Sequence, residues 1–279
     1  LNKVIPVVKH YEMCENMFLE LKNNINKHEL IPLRLREMEN FYKDETAYIV
    51  TCGPSLNDIP QQELKDKLKD KLVIANKQAY NSLGAVTDFH ILNIINYQPY
   101  TYETNETINI WEVFEQYHPQ LILDNNWPCD LMLPVVGNHI PNPERMDESQ
   151  AGKLSFDDWT LDKTIYRQFG PGMMYEIIFH LAVYLGVKKI VVVGWDIGDL
   201  SPYSGKDPNE VIFHNHSYST DENKYGEITE AKCGMTYREM QVVIDSTKFL
   251  REWLNSKGIE LEIVSDKSSA HKSIKRTKL

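Results

Sequence analysis

Lys189-Ile190-Val191-Val192-Val193 constrains the fold more than any other five residues of the chain. A near-continuous β-branched run has no polar face to offer water. It therefore belongs to a strand covered on both sides, as in the interior of a parallel sheet. Its neighbours complete such a unit. Met173 to Leu185 reads as a helix that stops at Gly186, a residue suited to a left-handed C-cap, and Gly194-Trp195-Asp196 follows the strand.

The same alternation recurs along the chain. Tyr48–Cys52 reads as a strand, Gln61–Leu68 as a helix and Leu72–Ala75 as a second strand. Lys77–Leu83 reads as a helix, Phe89–Leu92 as a third strand and Leu121–Leu123 as a fourth. Thr236–Ser256 is the longest helical stretch, Gly258 stops it, and Glu260–Val264 is the last strand. This order predicts an α/β fold with a doubly wound, mainly parallel, Rossmann-like sheet. Ahead of it, Tyr11, Cys14, Met17, Phe18, Leu21 and Ile25 keep a helical rhythm that Pro32 interrupts. The expected organisation is an N-terminal helical extension over 1–45 and a Rossmann-like nucleotide-binding domain over 46–279, with a lid loop at about 195–233.

Charge and cysteine usage remove several classes of function. A net charge of −10 argues against a general nucleic-acid binder, which needs a basic face. It leaves a nucleotide ligand open, because a local cluster of amides can hold one phosphate on an acidic protein. Cys14, Cys52, Cys129 and Cys233 are scattered, so neither a zinc knuckle nor a disulfide scaffold is indicated. No run approaches the roughly 18 apolar residues of a membrane span, and the first residues lack a signal-peptide pattern. A cytoplasmic setting is the expectation.

Ligands of doubly wound sheets bind beyond the carboxyl ends of the strands, at the switch point. Gly53-Pro54-Ser55 follows the first strand, and a strand that breaks at glycine before a helix is a common phosphate cradle. Gly53 is expected to clear room for the ligand, Pro54 to fix the turn and Ser55 to add a hydroxyl; an ordinary strand-to-helix turn has the same composition. Asn76 and Lys77 follow the second strand, Asn93 and Asn96 the third, and Asp196 the Val191 strand. Gly170-Pro171-Gly172 opens the Met173 helix, and Ser265, Asp266, Ser268 and Ser269 follow the last strand.

Several of these blocks, "YIVTCGPSLNDI", "LVIANKQAY", "FHILN", "GPGMMYEIIFHLAVYLGVKKIVVVGWDIG" and "SPYSG", resemble segments of glycosyltransferase family 42. Those are bacterial sialyltransferases with one Rossmann-like domain that use CMP-sialic acid. The chain is also similar to a sister family of motility accessory factors and an archaeal hydroxymethylpterin diphosphokinase. The resemblance covers roughly residues 46–265. It implies that Gly53, Pro54 and Ser55 sit against the nucleotide phosphate, and that Asn76 and Asn93 contact the donor. Lys77 replaces the glutamine usual after the first of these asparagines. Gly170, Pro171 and Gly172 stand where the family has a donor-binding Thr-Ser-Gly, and Tyr203 matches a tyrosine that steadies the departing phosphate. The family's general-base histidine has no counterpart in Lys232-Cys233-Gly234-Met235.

His214 and His216, about twenty residues earlier, are the expected substitutes, since an acceptor hydroxyl needs a base with a pKa near neutrality. Asp196 is the third candidate. The same histidines with Asp196 and Asp199 also suit a divalent metal, and magnesium would be needed for a diphosphotransferase acting on a hydroxymethyl heterocycle. Glycosyl transfer itself needs no cofactor. The absence of Gly-x-Ser-x-Gly and of GK[ST] removes hydrolase and P-loop readings. Lys272, Lys275, Arg276 and Lys278 offer peripheral contact with an anionic membrane, or form a solvated basic tail. The leading expectation is a nucleotide-sugar-dependent glycosyltransferase taking a CMP- or UDP-linked donor and a glycan or protein acceptor, as monomer or oligomer. A non-catalytic nucleotide-binding protein is the alternative from another class.

Overall fold

A computed structural model of the protein describes residues 38–94, 98–113, 118–134, 178–196, 211–214 and 233–279. Among them, eight strands form one sheet in which every neighbouring pair is parallel. In chain order these are β1 (Thr46–Val50), β2 (Leu72–Asn76), β3 (Phe89–Asn93), β4 (Ile108–Val113), β5 (Leu131–Pro134) and β6 (Lys189–Val193). A separate pair, β7 (Val211–His214) and β8 (Cys233–Thr236), is antiparallel, and β9 (Glu260–Ile263) and β10 (Lys275–Arg276) complete the large sheet.

The strand order is β10-β9-β6-β1-β2-β3-β4-β5. From β1 the chain steps outward through β5, then returns to the other side of β1 with β6. The switch point therefore lies between β1 and β6, whose register runs Thr46↔Lys189 to Val50↔Val193. Helices cover both faces, so the doubly wound expectation holds. On one face, α1 (Gln61–Leu68), α2 (Tyr80–Leu83) and α3 (His118–Asp124) bury Leu64, Leu68, Tyr80, Leu83 and Ile122. On the other, α4 (Phe179–Tyr184) and α5 (Tyr237–Ser256) pack Phe179, Leu181, Leu250 and Leu254 against Ile49, Ile74, Ile91 and Val192. Val192 and Val193 face opposite layers, each at most 1% exposed, which is why the β6 sequence has no polar alternation.

Several boundaries and one element differ from expectation. Leu121–Leu123 is not a strand; it lies in α3, which starts at His118-Pro119 with the ring at a first-turn position where no amide is missed. The fourth and fifth strands are Ile108–Val113 and Leu131–Pro134 instead. The Lys77–Leu83 helix is a 3-10 turn, Lys77–Ala79, running into α2. Gly186 has φ +83° and Gly258 +75°, as the two helix stops require. The basic tail is not simply solvated. Lys275 and Arg276 form β10, the Lys275 ammonium lies 2.6 Å from the Glu262 carboxylate, and Lys189 binds the same carboxylate at 2.9 Å. Burial pushes the Glu262 carboxyl up, but hydrogen bonds from Lys275 and Lys189 outweigh it and leave it below its ordinary value.

Candidate functional site

The carboxyl edge of the sheet carries polar side chains on the α4/α5 face. Strand alternation puts Thr51, Asn76, Asn93 and Glu112 on the side of Ile49, Ile74, Ile91 and Ile110. Thr51 continues β1 beside Asn76, and Asn93 is in register with Glu112. All four are at most 8% exposed. Asn76 Oδ1 is fully buried and has no hydrogen-bond partner among the described residues. Such an orphan costs about 1–3 kcal/mol, so something must complete it. Glu112 carried no signal in the sequence reading, because its strand was not recognised.

The Gly53-Pro54-Ser55 turn serves the protein's own backbone first. Gly53 N–H donates to the Gly194 carbonyl at 2.8 Å, and Thr51 Oγ1 donates to it at 2.6 Å. A Cβ at Gly53 would collide with that carbonyl and stand 2.7 Å from Asp196 Oδ2. Glycine is thus required here because the β6 turn crosses its α-carbon, and the expected space for a ligand is filled by the chain. Ser55 N–H donates to Asp196 Oδ2 at 2.5 Å, Leu56 N–H to the Gly53 carbonyl at 3.0 Å, and Pro54 has no N–H. The amides of residues 53 to 56 are therefore all engaged or lacking.

Asp196 is held from both sides, since Ser265 Oγ donates to its other oxygen at 2.6 Å. It fastens the ends of β1, β6 and β9 to one another. Beside it lies a pocket of about 210 Å³ on the α1 face, with Ile59, Val193 and Val264 as its apolar wall. Ser55, Ser265, Asp58 and Asp266 supply polar groups, and Lys267 reaches across to Asp58 at 2.5 Å.

Lys77 directly follows Asn76 and has φ +51°, a left-handed conformation costly for a residue that carries a Cβ. Its carbonyl accepts from His90 Nε2 at 2.8 Å, which fixes that nitrogen as the protonated one; Nδ1 then accepts from the Tyr102 hydroxyl at 2.9 Å. His90 stacks on Tyr80 with ring centroids 4.8 Å apart. Burial pushes its pKa down to about 4. Cys52 donates to the Asn76 carbonyl at 3.3 Å, and burial pushes its thiol up to about 11, so it is no nucleophile at neutral pH.

The structure therefore gathers Gly53, Pro54, Ser55, Asn76, Lys77, Asn93 and Asp196 along one edge. Gly170, Pro171, Gly172, Tyr203 and His216 lie outside the described residues. His214 ends β7 and is in register with Cys233 at the start of β8, three residues after which α5 follows. Among the described residues, no group of three His, Cys, Asp or Glu side chains is placed to hold a metal, and no helix is long and apolar enough to cross a membrane.

No family model matches the chain, and no curated protein sequence matches it. A solved structure, a MAf glycosyltransferase from Magnetospirillum magneticum AMB-1, is similar at 12% identity with a TM-score of 0.39. The similarity covers 88% of this chain and 37% of that one, so the chain spans little more than a third of that protein. Likeness at this level carries no conclusion about activity; the fold is read from the sheet itself.

Proposed function

We propose that the chain is a nucleotide-sugar-dependent glycosyltransferase of the sialyltransferase-like type, acting in surface glycan or protein glycosylation. The observation that carries this reading is Asn76, a buried amide oxygen without a partner among the described residues, next to the switch point of a doubly wound sheet. An N–H or O–H donor of the nucleotide completes it, and Asn93 contacts the same ligand from β3. Lys77 and the Ser55 hydroxyl face the phosphate, and the Ser55 amide joins them only where Asp196 lets go of it.

The chemistry is a displacement at the sugar's anomeric carbon. A base removes the acceptor's hydroxyl proton, the acceptor oxygen attacks, and the bond to the phosphate oxygen breaks with departure of the nucleotide. Both oxygens of Asp196 are engaged, which suits a positioning role better than proton transfer. His214 is favoured as base over His216 because its register with Cys233 brings it to the segment just before α5, where the resembled family carries its histidine. Tyr203 and Gly170 to Gly172 complete the donor site in this reading, and no metal takes part.

Thermal-shift measurements with CMP, UDP and ATP, each with and without magnesium, test it. Stabilisation by CMP or UDP without metal is expected. In Asn76→Ala that shift disappears while the unliganded protein is as stable as before or more so, because removing an orphan buried polar group costs little. A response to ATP with magnesium alone turns the reading towards a diphosphotransferase. No response to any nucleotide overturns it.

A further inference from the structure

The pocket beside Asp196 lies on the opposite face of the sheet from Asn76 and Asn93. Its volume of about 210 Å³ is below the roughly 300 Å³ at which sites for drug-sized ligands begin, which suits a single ring better than a whole nucleotide. Its chemistry is two-sided. Ile59 and Val264 supply partly exposed apolar lining over the buried Val193, and Asp58, Asp266, Ser265 and Lys267 supply polar lining. Carboxylates accept hydrogen bonds and cannot donate, so the part of an occupant that meets Asp58 and Asp266 must bring donors. Two carboxylates against the one ammonium of Lys267 disfavour an anionic occupant. A small ring with an apolar C–H face and a periphery of hydroxyl donors satisfies every one of these conditions.

We propose that this pocket is a subsite for one neutral pyranose ring, the sugar side of the transfer reaction proposed above, on which this inference rests. The ring's C–H face packs on Ile59 and Val264, which keep part of their surface exposed, and its hydroxyls donate to Asp58 and Asp266. Ser55 lines the pocket and is tied to Asp196 at the head of β1, so a ring seated there abuts the edge at which the nucleotide is proposed to bind. Lys267 bridges the mouth to Asp58, and both side chains are more than half exposed, so this bridge can open to admit the ring.

Saturation-transfer NMR with methyl glycosides of glucose, galactose and N-acetylglucosamine, and with N-acetylneuraminic acid as the anionic comparison, tests the proposal. At least one neutral glycoside is expected to bind, and any signal from N-acetylneuraminic acid to be unaffected by filling the pocket. Val264→Phe fills the pocket and should weaken the neutral glycoside by about tenfold or more, while the CMP or UDP thermal shift persists. If the phenylalanine variant does not fold, Asp266→Asn at the exposed rim gives the same test with a smaller loss. The proposal is overturned if no neutral glycoside binds, if the variants bind it unchanged, or if Val264→Phe weakens the anionic sugar as much as the neutral ones. Glycoside binding lost in Val264→Phe, in a protein that responds to no nucleotide, keeps the pyranose site and removes the nucleotide-sugar reading.

Discussion

Lys77 occupies a backbone conformation that glycine takes without penalty, at φ +51°, immediately after the buried Asn76. Left-handed backbone costs a non-glycine residue about 1–2 kcal/mol, and the His90 contact to its carbonyl holds the turn in place. Strain tolerated at the carboxyl end of a central strand points to a use for the side chain. Lys77→Gly should therefore raise stability by about 1 kcal/mol, seen as a melting temperature about 2–4 °C higher, and at the same time reduce the CMP or UDP shift. A variant that gains stability and keeps the full nucleotide shift would show that the ammonium has no part in binding. Gly53 shows the opposite case. The sequence identified the right residue, but the reason lies in the Gly194 carbonyl, a contact 141 positions away that local pattern cannot reveal.

Among the elements, the edge formed by β9 and β10 depends on Arg276. Its guanidinium donates to the carbonyls of Ile274 at 2.6 Å, Ala270 at 2.8 Å and Ser268 at 3.0 Å, thereby folding the segment that follows β9. That segment carries Ser265, Asp266 and Lys267 of the pocket. Arg276→Ala should cost about 2 kcal/mol and weaken glycoside binding, measured by chemical denaturation and by NMR; Arg276→Lys should not restore it, since one ammonium cannot serve three separated carbonyls. The basic tail was legible as charge but not as a clamp, because its partners are backbone groups with no sequence signature. By contrast, β1, β2, β3, β6 and β9 were legible from apolar runs ending in small or polar residues. Leu121-Ile122-Leu123 misled because three apolar residues fit either period, and Ile122 alone of the three is buried in α3. The strand Ile108–Val113 was missed although its residues alternate: Ile108 and Ile110 face α4 and α5, while Asn109 and Trp111 turn the other way.

For the molecule as a whole, the buried histidines set how stability responds to acid. His90 is 0% exposed, is caged by Tyr80, Tyr100 and Tyr102, and has its pKa pushed down to about 4 by burial. His118 is pushed down to about 4 by burial as well. An unfolded histidine titrates near 6.5, so between pH 6.5 and 4 the unfolded chain binds protons that the folded one refuses. Stability contributed by a neutral buried histidine is thus complete above pH 6.5 and declines as pH falls towards 4. For His90 the loss amounts to about 2 kcal/mol by pH 5, since most of the window between 6.5 and about 4 has then been crossed. Urea denaturation of the wild type and of His90→Phe at pH 7 and pH 5 measures it. Phenylalanine keeps the ring stacking of the tyrosine cage but abandons the Lys77 carbonyl, so the variant starts less stable at pH 7. Its further loss on going to pH 5 should nevertheless be smaller than the wild type's by about 2 kcal/mol. Equal losses in the two proteins would mean that His90 is protonated in the folded state at pH 5. The hydrogen bond to Lys77 would then run from an imidazolium, and acid would tighten the strained turn beside Asn76 instead of loosening it.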